Sequence, residues 1–401
     1  MDWQTPEDSS PSAFITDANV RELIGKPPAS GAWREGDPVG DRLFCSIGDL
    51  PLERGGTLPN VRLAYETFGT LSPARDNAIL IDHALTGDSH ILGLPGPGHP
   101  TAGWWGDVVG PGKAVDTDRW FVVVPNMLGG CQGSTGPASL APDGAPWGAR
   151  FPYVTIRDQV NAQIALADRL GIDRWAAVIG GSMGGMHALE WGVTAPERVE
   201  RLAVLASPAI TTADQIGKNS IQIEAIRTDP AFRDGDYYDQ PDGEGPHRGL
   251  ALARRIALMD YRASRELNSR FGRTWQSSRS PLGEGGRYAV ESYLDFHGNK
   301  FTRRFDANSY VTLATAMSSH DIGRDRGGVE AALQRLTMPT LVLAIDTDRL
   351  FPVEDQERIA RGAPGNIDGD APYLVHSEFG HDAFLIEHEV VGAQLRRLFE
   401  H

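Results

Sequence analysis

One stretch of the chain decides its fold: Val178-Ile179-Gly180-Gly181-Ser182-Met183-Gly184-Gly185-Met186. The segment that leads into it, 175–179, is apolar and rich in branched residues, which favours a buried strand. Apolar residues then recur at helical spacing over 186–193. The glycines between the two segments favour a tight turn, because a side chain there would clash with neighbouring backbone. The stretch therefore predicts a strand, a sharp turn and a helix, with Ser182 exposed at the turn.

The triplet Gly180-x-Ser182-x-Gly184 matches the nucleophile elbow of the α/β-hydrolase fold, in which a serine stands above the end of a central sheet. The chain contains 46 glycines in 401 residues, so the triplet alone is a weak signal. Its weight comes from the strand before it and the helix after it. The rest of the chain must supply the remaining strands and the partners of the serine.

Composition and charge narrow the class of protein. The formal net charge is −15 and no Lys/Arg-rich run occurs, which argues against nucleic acid or an anionic membrane as the main partner. Two cysteines, Cys45 and Cys131, are too few for a disulfide framework, so a reducing compartment is expected. The N-terminus lacks the pattern of a signal peptide, and no apolar run reaches membrane-spanning length. These features predict a soluble cytoplasmic protein.

Strand and helix patterns alternate along the chain. Short apolar, β-branched runs predict strands at 42–47, 61–68, 78–82, 120–124, 175–179, 202–206, 340–345 and 373–375. Helical spacing predicts helices from Ile156 to Leu170, at 250–261, 288–296 and 309–318, and from Ala383 to Phe399. This alternation predicts an α/β-hydrolase fold, with a mostly parallel sheet and helices on both faces.

The patterns also divide the chain into segments. Residues 1–40 are rich in Pro, Gly, Ser and acidic residues and predict an irregular extension. Residues 41–210 and 336–401 carry the strand and helix alternation of the core domain. Residues 211–335 contain helical segments but no convincing buried strand, so we expect a helical insertion that forms a lid over the carboxyl end of the sheet.

A serine hydroxyl is a poor nucleophile at neutral pH and needs a base, which in turn needs an acid to orient it. In this fold the partners follow the serine in the order acid, then histidine, each in a loop after a later strand. The loop after 340–345 contains Asp346 and Asp348, and the loop after 373–375 contains His381. His376 lies at the strand end rather than deep in that loop, so His381 is the preferred base. The spacing leaves the acid open between Asp346 and Asp348.

An oxyanion hole requires two convergent backbone N–H groups, one after the nucleophile and one from the loop after the third strand. The first is Met183. The second belongs to the loop 83–87, and Leu85 is the better candidate by analogy with H-G-G patterns. The side chain of His83 is interpreted as structural, at the end of a strand.

Several longer motifs occur together in the chain. They are His83-Ala-Leu-Thr-Gly-Asp-Ser-His90, Asn126-x-Leu-Gly-Gly-Cys-x-Gly-Ser-Thr-Gly-Pro137, Gly180-Gly-Ser-Met-Gly-Gly-Met186 with Ala188-Leu-Glu-Trp191, Ala213-Asp-Gln-Ile-Gly217, Ser318-Ser-His-Asp-Ile-Gly323 and Gly380-His-Asp382. In this order they resemble the homoserine O-acetyltransferases. The resemblance runs from about residue 42 to the C-terminus and leaves the first forty residues outside it.

The resemblance implies an activity in methionine biosynthesis. An acetyl group would pass from acetyl-CoA to the hydroxyl of L-homoserine by a ping-pong mechanism through acetyl-Ser182, giving O-acetyl-L-homoserine and CoA. Position by position, His381 would be the base and Asp348, rather than Asp346, the acid. Acetyl-CoA would be a substrate, with no permanently bound cofactor. The resemblance also implies a homodimer, formed through helices of the insertion.

The resemblance further implies that Arg254 and Asp382 bind the amino acid, with Tyr261 as a weaker candidate. An arginine fork suits the carboxylate of homoserine and a carboxylate suits its ammonium group. The chain departs from the family at His187, where glutamine is common, and the sequence offers no function for it.

Three alternative functions remain open at this stage. A homoserine O-succinyltransferase or a serine O-acyltransferase would need only a few different side chains around the serine. An ester or thioester hydrolase would share the triad and admit water. A non-catalytic binding module is disfavoured because all three triad members are present. No motif with metal-ligand spacing is found, so no metal site is expected.

Overall fold

An eight-stranded sheet forms the centre of the protein in a computed structural model, which describes residues 23–401. Its strands are β1 (Leu43–Pro51), β2 (Thr57–Phe68), β3 (Ala78–Asp82), β4 (Phe121–Pro125), β5 (Ala177–Gly181), β6 (Leu202–Leu205), β7 (Thr340–Ile345) and β8 (Tyr373–Val375). In space they follow the order β1-β2-β4-β3-β5-β6-β7-β8. Strand β2 is antiparallel to both of its neighbours, β1 and β4. The other six strands, β3 to β8, are all parallel to one another. The predicted mostly parallel sheet is confirmed.

Helices follow most of the strands and fill the segment between β6 and β7. They are α1 (Ile156–Leu170), α2 (Met183–Thr194), α3 (Ala213–Arg227), α4 (His247–Tyr261), α5 (Ser264–Phe271), α6 (Ala289–Phe301), α7 (Ala307–Ser318), α8 (Val329–Leu333), α9 (Val353–Gly362), α10 (Ala383–Ile386) and α11 (His388–Phe399). Helices α3 to α8 lie between β6 and β7 in sequence, and this run of helices is called the insertion below. Among the helices described for residues 23–401, none combines the length and apolar character needed to cross a bilayer.

The sheet is buried on both faces. Successive residues of a strand point to opposite faces, and Leu80 and Val178 belong to one apolar cluster while Ile79 and Ile179 belong to another. Helices α1, α2 and α9 contribute to the first cluster, and α11 contributes to the second. Covering both faces explains why the central strands are continuously apolar.

Helix α1 shows how local sequence fixes an element boundary. Thr155 Oγ1 accepts from the Asp158 amide at 3.1 Å, and Asp158 Oδ2 accepts from the Thr155 amide at 2.9 Å, which completes a capping box. At the other end Gly171 adopts φ 67° and its amide donates to the Ala167 carbonyl. A left-handed glycine of this kind ends a helix without steric cost. Both boundaries agree with the sequence prediction.

One predicted helix is wrong in its extent. The chain from Ala383 to Phe399 forms two helices, α10 and α11, because Glu387 adopts the non-helical angles φ −81° and ψ 57°. The Glu387 carboxylate accepts a hydrogen bond from Ser377 Oγ at 2.7 Å, which ties the break to the loop after β8. An amphipathic pattern that continues across the break concealed it in the sequence.

The segment 23–40 contains no helix or strand, and residues 1–22 of the predicted extension lie outside the described residues. The described part bridges the insertion and the core. The Gly31 amide donates to the Phe305 carbonyl at 3.2 Å, and the Trp33 amide donates to the Cys131 carbonyl at 2.9 Å. The insertion is thereby fastened to the core at a point away from its two chain connections.

Replacement of Thr155 by alanine should lower the free energy of unfolding by about 1 kcal/mol, since it removes the hydroxyl that caps α1. Thr155→Ser, which retains the hydroxyl, is the matched control and should stay close to wild type. Guanidinium denaturation followed by circular dichroism measures both. Equal losses in the two variants would show that the methyl group of Thr155, rather than its cap, carries the effect.

Candidate active site

Ser182 stands at the junction of β5 and α2 with a strained backbone. Its angles are φ 58° and ψ −125°, a left-handed region that a residue with a side chain rarely adopts. The Ser182 amide donates to the Leu205 carbonyl of β6 at 3.0 Å, and its carbonyl accepts from the Gly185 amide at 2.9 Å. Hydrogen bonds on both sides therefore hold the strained residue in place.

Two glycines allow the strand and helix to meet at this angle. A Cβ on Gly180 would lie 2.0 Å from the Gly184 carbonyl oxygen, and a Cβ on Gly184 would lie 2.1 Å from the Asp82 carbonyl oxygen. Both distances are far below van der Waals contact, so backbone packs directly on backbone. Because Asp82 ends β3, the elbow is held against the neighbouring strand.

Ser182, His381 and Asp348 form a continuous chain of hydrogen bonds. Ser182 Oγ lies 2.8 Å from His381 Nε2, and His381 Nδ1 lies 2.6 Å from Asp348 Oδ2. The other carboxylate oxygen, Asp348 Oδ1, accepts from the backbone amides of Leu350 and Phe351 at 2.8 and 2.9 Å. All three side chains are buried. The arrangement suits proton transfer from the serine hydroxyl to an oriented imidazole.

The second acid and the second base considered from the sequence pair with each other instead. His376 Nδ1 lies 2.8 Å from Asp346 Oδ2, and the His376 side chain is exposed. Asp346 also accepts from the Ser377 amide at 3.1 Å. The structure thus joins Asp348, and not Asp346, to the histidine that contacts Ser182.

Burial and charge act in opposite directions on His381. Burial lowers the pKa of the imidazole, but the adjacent Asp348 carboxylate raises it, and the net pKa lies above the ordinary value of 6.5. A basic imidazole accepts the serine proton more readily than an ordinary one. The same shift extends the pH range in which the imidazole is protonated and unable to act as a base.

The two predicted oxyanion amides lie at the ends of neighbouring strands. Met183 is the first residue of α2, where the amide has no partner within the helix, and Leu85 lies in the loop after β3. Within residues 23–401 neither the Leu85 amide nor the Met183 amide donates a hydrogen bond to another protein group. Both are therefore available to an oxygen atom bound above Ser182.

Of the three predicted substrate-binding residues, two lie together near His381. The Arg254 guanidinium lies 5.5 Å from the centre of the Tyr261 ring, which is itself 5.7 Å from the His381 ring. Burial raises the pKa of Tyr261 to about 12, so its hydroxyl stays protonated. Arg254 Nη1 contacts Thr86 Oγ1 at 3.4 Å. Arg254 thus joins the insertion to the loop that carries Leu85.

Asp382, the third, follows His381 directly but is already engaged. Its carboxylate lies 3.2 Å from Arg262 Nε, and both side chains are largely buried. This ion pair cannot be predicted from a local pattern, because the two residues are 120 positions apart along the chain. Any cation that binds Asp382 must share its carboxylate with Arg262.

Comparisons with known proteins identify the fold and the family. A family model described as the α/β hydrolase fold matches residues 77–387. A homoserine O-acetyltransferase from Leifsonia xyli subsp. xyli is 68% identical over 400 residues, covering 100% of both chains. The chain belongs to the homoserine O-acetyltransferase family. A family member from Thermobifida fusca is 56% identical and covers 92% of this chain and 97% of its own.

Solved structures place both transferases and esterases close to this fold. A homoserine O-acetyltransferase from Bacillus anthracis matches with a TM-score of 0.78 at 27% identity, over 90% of this chain and 97% of its own. Esterase E22 matches with a TM-score of 0.80 at 27% identity, over 89% of this chain and 99% of its own. The backbone alone therefore does not separate acyl transfer from hydrolysis.

His187, to which the sequence assigns no function, is buried between α2 and α1. Its ring nitrogens lie 2.8 Å from the Met183 carbonyl oxygen and 2.7 Å from Gln159 Oε1. Burial lowers its pKa to about 3, so the imidazole is neutral. His187 therefore links α2 to α1 beneath the elbow.

A cavity of about 10 Å³, enough for a single water molecule, lies between the insertion and the loops that carry Leu85 and Leu350. Leu85, Met186, Tyr261, Leu350 and Phe351 line one part of it, and polar residues of α3 and its approach, Thr211, Gln215, Asn219 and Gln222, line the rest. These polar residues were not predicted. Gln215 lies in the motif that starts at Ala213, and no pattern in the sequence indicates a role for the other three.

One group in the described part of the chain offers atoms suited to a metal ion. Asp41, Glu66, His90 and His99 bring their ligand atoms within 4.8 Å of one another, although sequence spacing gave no indication of it. Hydrogen bonds already use several of these atoms. His90 Nδ1 lies 3.1 Å from Glu66 Oε2, and His99 Nε2 accepts from the Asp41 amide at 2.9 Å. Glu66, His90 and His99 are buried and the Asp41 carboxylate is exposed, so the group forms a hydrogen-bonded network that runs from the core to the surface just before β1.

The rate at which Ser182 is acylated should fall as the pH is lowered, because His381 must be neutral to act as a base. The midpoint of this fall should lie above pH 6.5, because the pKa of His381 is raised. In Asp348→Asn the midpoint should move to lower pH, since burial then acts without the carboxylate, and the plateau should fall by roughly 10⁴. Release of p-nitrophenol from p-nitrophenyl acetate measures both. Asp346→Asn is the matched control, and an unmoved midpoint in Asp348→Asn would contradict the assignment.

Proposed function

We propose that the protein transfers the acetyl group of acetyl-CoA to the side-chain hydroxyl of L-homoserine, giving O-acetyl-L-homoserine and CoA. The observation that carries this proposal is the hydrogen-bonded Ser182, His381 and Asp348 in a chain that is 68% identical over its full length to a homoserine O-acetyltransferase. The activity belongs to methionine biosynthesis, and the enzyme is an acyltransferase.

In the first half-reaction Ser182 Oγ attacks the thioester carbonyl while His381 Nε2 takes the serine proton. Asp348 stabilises the imidazolium that forms. The negative charge on the carbonyl oxygen is held by the amides of Leu85 and Met183. The carbon–sulfur bond then breaks, CoA leaves with the proton from His381, and Ser182 remains as the acetyl ester.

In the second half-reaction the homoserine hydroxyl takes the place of CoA. His381, neutral again, removes the hydroxyl proton, and the alkoxide oxygen attacks the acetyl carbonyl. The same two amides hold the oxyanion. The bond from the acetyl carbon to Ser182 Oγ breaks, and His381 returns the proton to the serine. Each half-reaction thus restores the starting protonation of the triad.

The acceptor is recognised by charge. No carboxylate of residues 23–401 lies within 4 Å of the Arg254 guanidinium, so its charge is available to the carboxylate of homoserine. Asp382 would hold the ammonium group, sharing its carboxylate between that group and Arg262. Tyr261, between Arg254 and His381, would bound the pocket.

A hydrolase is the second candidate function, since esterase E22 and other esterases share the fold at 26–29% identity. Transfer requires that homoserine reach the acetyl-enzyme before water does. Gln215 of α3 and Tyr261 of α4 line the small cavity that Leu85 and Met186 also line. We propose that the insertion is the lid that excludes water from this site.

Acetyl-CoA with homoserine should give O-acetylhomoserine much faster than free acetate, and Ser182→Ala should abolish both the product and the acetyl adduct seen by intact-mass measurement. Succinyl-CoA and L-serine serve as the competing donor and acceptor. Preferred use of either would replace the proposed substrates. Acetate release that exceeds product formation would favour the hydrolase.

We also propose a cytoplasmic homodimer that pairs through α3 and α4. These helices pack on each other and leave four large apolar side chains well exposed: Ile216, Ile221, Leu252 and Met259. Clustered exposed apolar residues are typical of an interface between subunits.

Ile221→Glu combined with Leu252→Glu should convert the dimer to a monomer. In a dimer that pairs through α3 and α4, the two carboxylates of each subunit would be buried in the interface without a cation to pair with them. Size-exclusion chromatography with light scattering measures the mass. Leu140→Glu is the matched control, since Leu140 is 56% exposed and Ile221 is 59% exposed, and Leu140 lies outside the insertion. A double variant that keeps the wild-type mass would contradict this interface.

A further inference from the structure

The loop after β3, residues 83–87, contacts the insertion through an arginine that the mechanism above does not use. Arg304 lies in the turn between α6 and α7, and its Nη1 donates to the Thr86 carbonyl at 2.9 Å. Thr86 directly follows Leu85. The insertion therefore holds the backbone next to one of the two proposed oxyanion donors.

The same loop is held from the core by His83. His83 Nε2 accepts a hydrogen bond from the Met127 amide at 3.2 Å, so the ring proton resides on Nδ1. Nδ1 donates to the Ala84 carbonyl at 2.7 Å. The Ala84 carbonyl also accepts from the Gly87 amide at 2.9 Å. Two donors thus fix the direction of this carbonyl.

These contacts determine where the Leu85 amide points. In a trans peptide the carbonyl and the following N–H point to opposite sides. Because the Ala84 carbonyl points toward His83, the Leu85 N–H points away from that ring, and within residues 23–401 it meets no acceptor. The Thr86 carbonyl, held by Arg304, belongs to the same peptide as the Gly87 N–H that donates to the Ala84 carbonyl. Arg304 therefore holds the plane of one of the two donors that direct the Ala84 carbonyl, and through it the Leu85 N–H.

Arg304 is itself firmly placed. Its backbone carbonyl accepts from Gln132 Nε2 at 2.8 Å, and Gln132 Oε1 accepts from Arg42 Nη2 at 2.7 Å. The guanidinium lies 5.3 Å from the centre of the Phe301 ring. No carboxylate of residues 23–401 lies within 4 Å of it, although the buried Asp88 carboxylate acts on it from farther away. Among the described residues, the Thr86 carbonyl is the hydrogen-bond acceptor of the guanidinium.

We propose that Arg304 is a positioning residue for acyl transfer. By holding the Thr86 carbonyl it keeps the Leu85 amide directed at the oxyanion, so that acylation of Ser182 depends on a residue of the insertion. This inference rests on the proposed function only for the chemistry at Ser182, and not for the identity of the acceptor.

The test compares single-turnover acetylation of Ser182 in Arg304→Met, Arg304→Lys and wild type, with acetyl-CoA and with p-nitrophenyl acetate as donors. Arg303→Met is the matched control, because the Arg303 guanidinium donates to the carbonyls of Leu23 and Gly25, away from the loop. Arg304→Met should slow acetylation by roughly tenfold to a hundredfold with both donors, as expected for a small displacement of a reacting group. Arg304→Lys should recover most of the rate, and Arg303→Met should match wild type.

Three outcomes would overturn the proposal. If Arg304→Met slows acetylation of Ser182 by acetyl-CoA but not by p-nitrophenyl acetate, Arg304 is a contact for CoA. If Arg304→Met is acetylated at the normal rate but has a higher KM for homoserine, Arg304 is a contact for the acceptor. Acetylation at the wild-type rate with both donors would leave it no positioning role. If Arg304→Met fails to fold, Arg304→Gln replaces it with the same outcomes.

A failure of the positioning role of Arg304 can be distinguished from a failure of the proposed transfer to homoserine. Wild-type transfer to homoserine is measured separately, whereas p-nitrophenyl acetate tests Ser182 and its oxyanion amides without CoA or an amino acid. A wild-type enzyme that prefers another acceptor would still give the expected difference between Arg304→Met and Arg303→Met.

Discussion

The strained backbone of Ser182 is the constraint on which the rest of the site depends. A left-handed residue with a side chain costs on the order of 1–3 kcal/mol and persists only where its surroundings hold it. Here Gly184 contacts the backbone of Asp82, and the Ser182 amide bonds to β6. The elbow is therefore fixed between β3 and β6. Without that support the serine would relax away from His381.

The order of the strands brings the remaining groups to the same edge. Strands β3 and β5 are neighbours, so Leu85 and Met183 leave the sheet side by side. Strands β7 and β8 follow on the other flank and carry Asp348 and His381 into the same space. Residues separated by as many as 199 positions in sequence thus meet within hydrogen-bond distance, as Ser182 and His381 do. The parallel arrangement makes this convergence a property of topology.

This explains which features the sequence could predict. The strand Thr340–Ile345 agrees to the residue, because a buried parallel strand reads as a continuous apolar run. The edge strand Tyr373–Val375 also agrees to the residue, although Leu374 is exposed. The strand before the elbow begins at Ala177 rather than Trp175, which makes only an isolated bridge to Val199. The elbow, the order of acid and base along the chain, and the bounds of α1 all follow from patterns in the sequence.

The rest could not be read because it depends on contacts across space. Nothing in a linear pattern indicates that Asp382 pairs with Arg262, that Glu387 interrupts the last helix, or that Arg304 reaches Thr86. The resemblance selected Asp348 over Asp346. The hydrogen bonds give the physical reason, since Asp346 is engaged with an exposed histidine.

The insertion changes the electrostatics of a chain whose net charge is −15. Arg254 and Arg304 lie 5.2 and 5.3 Å from the same Phe301 ring, and both contact Thr86. Neither has a carboxylate of residues 23–401 within 4 Å, although the buried Asp88 carboxylate beside the oxyanion loop partly offsets the charge of Arg304. A positive field there favours an anionic acceptor and also stabilises negative charge that develops at the acyl carbonyl. Water carries no charge and is therefore not attracted to the site in the way that an anionic acceptor is. On the proposed mechanism, the same residues that order the loop therefore also bias the acetyl-enzyme toward a carboxylate-bearing acceptor.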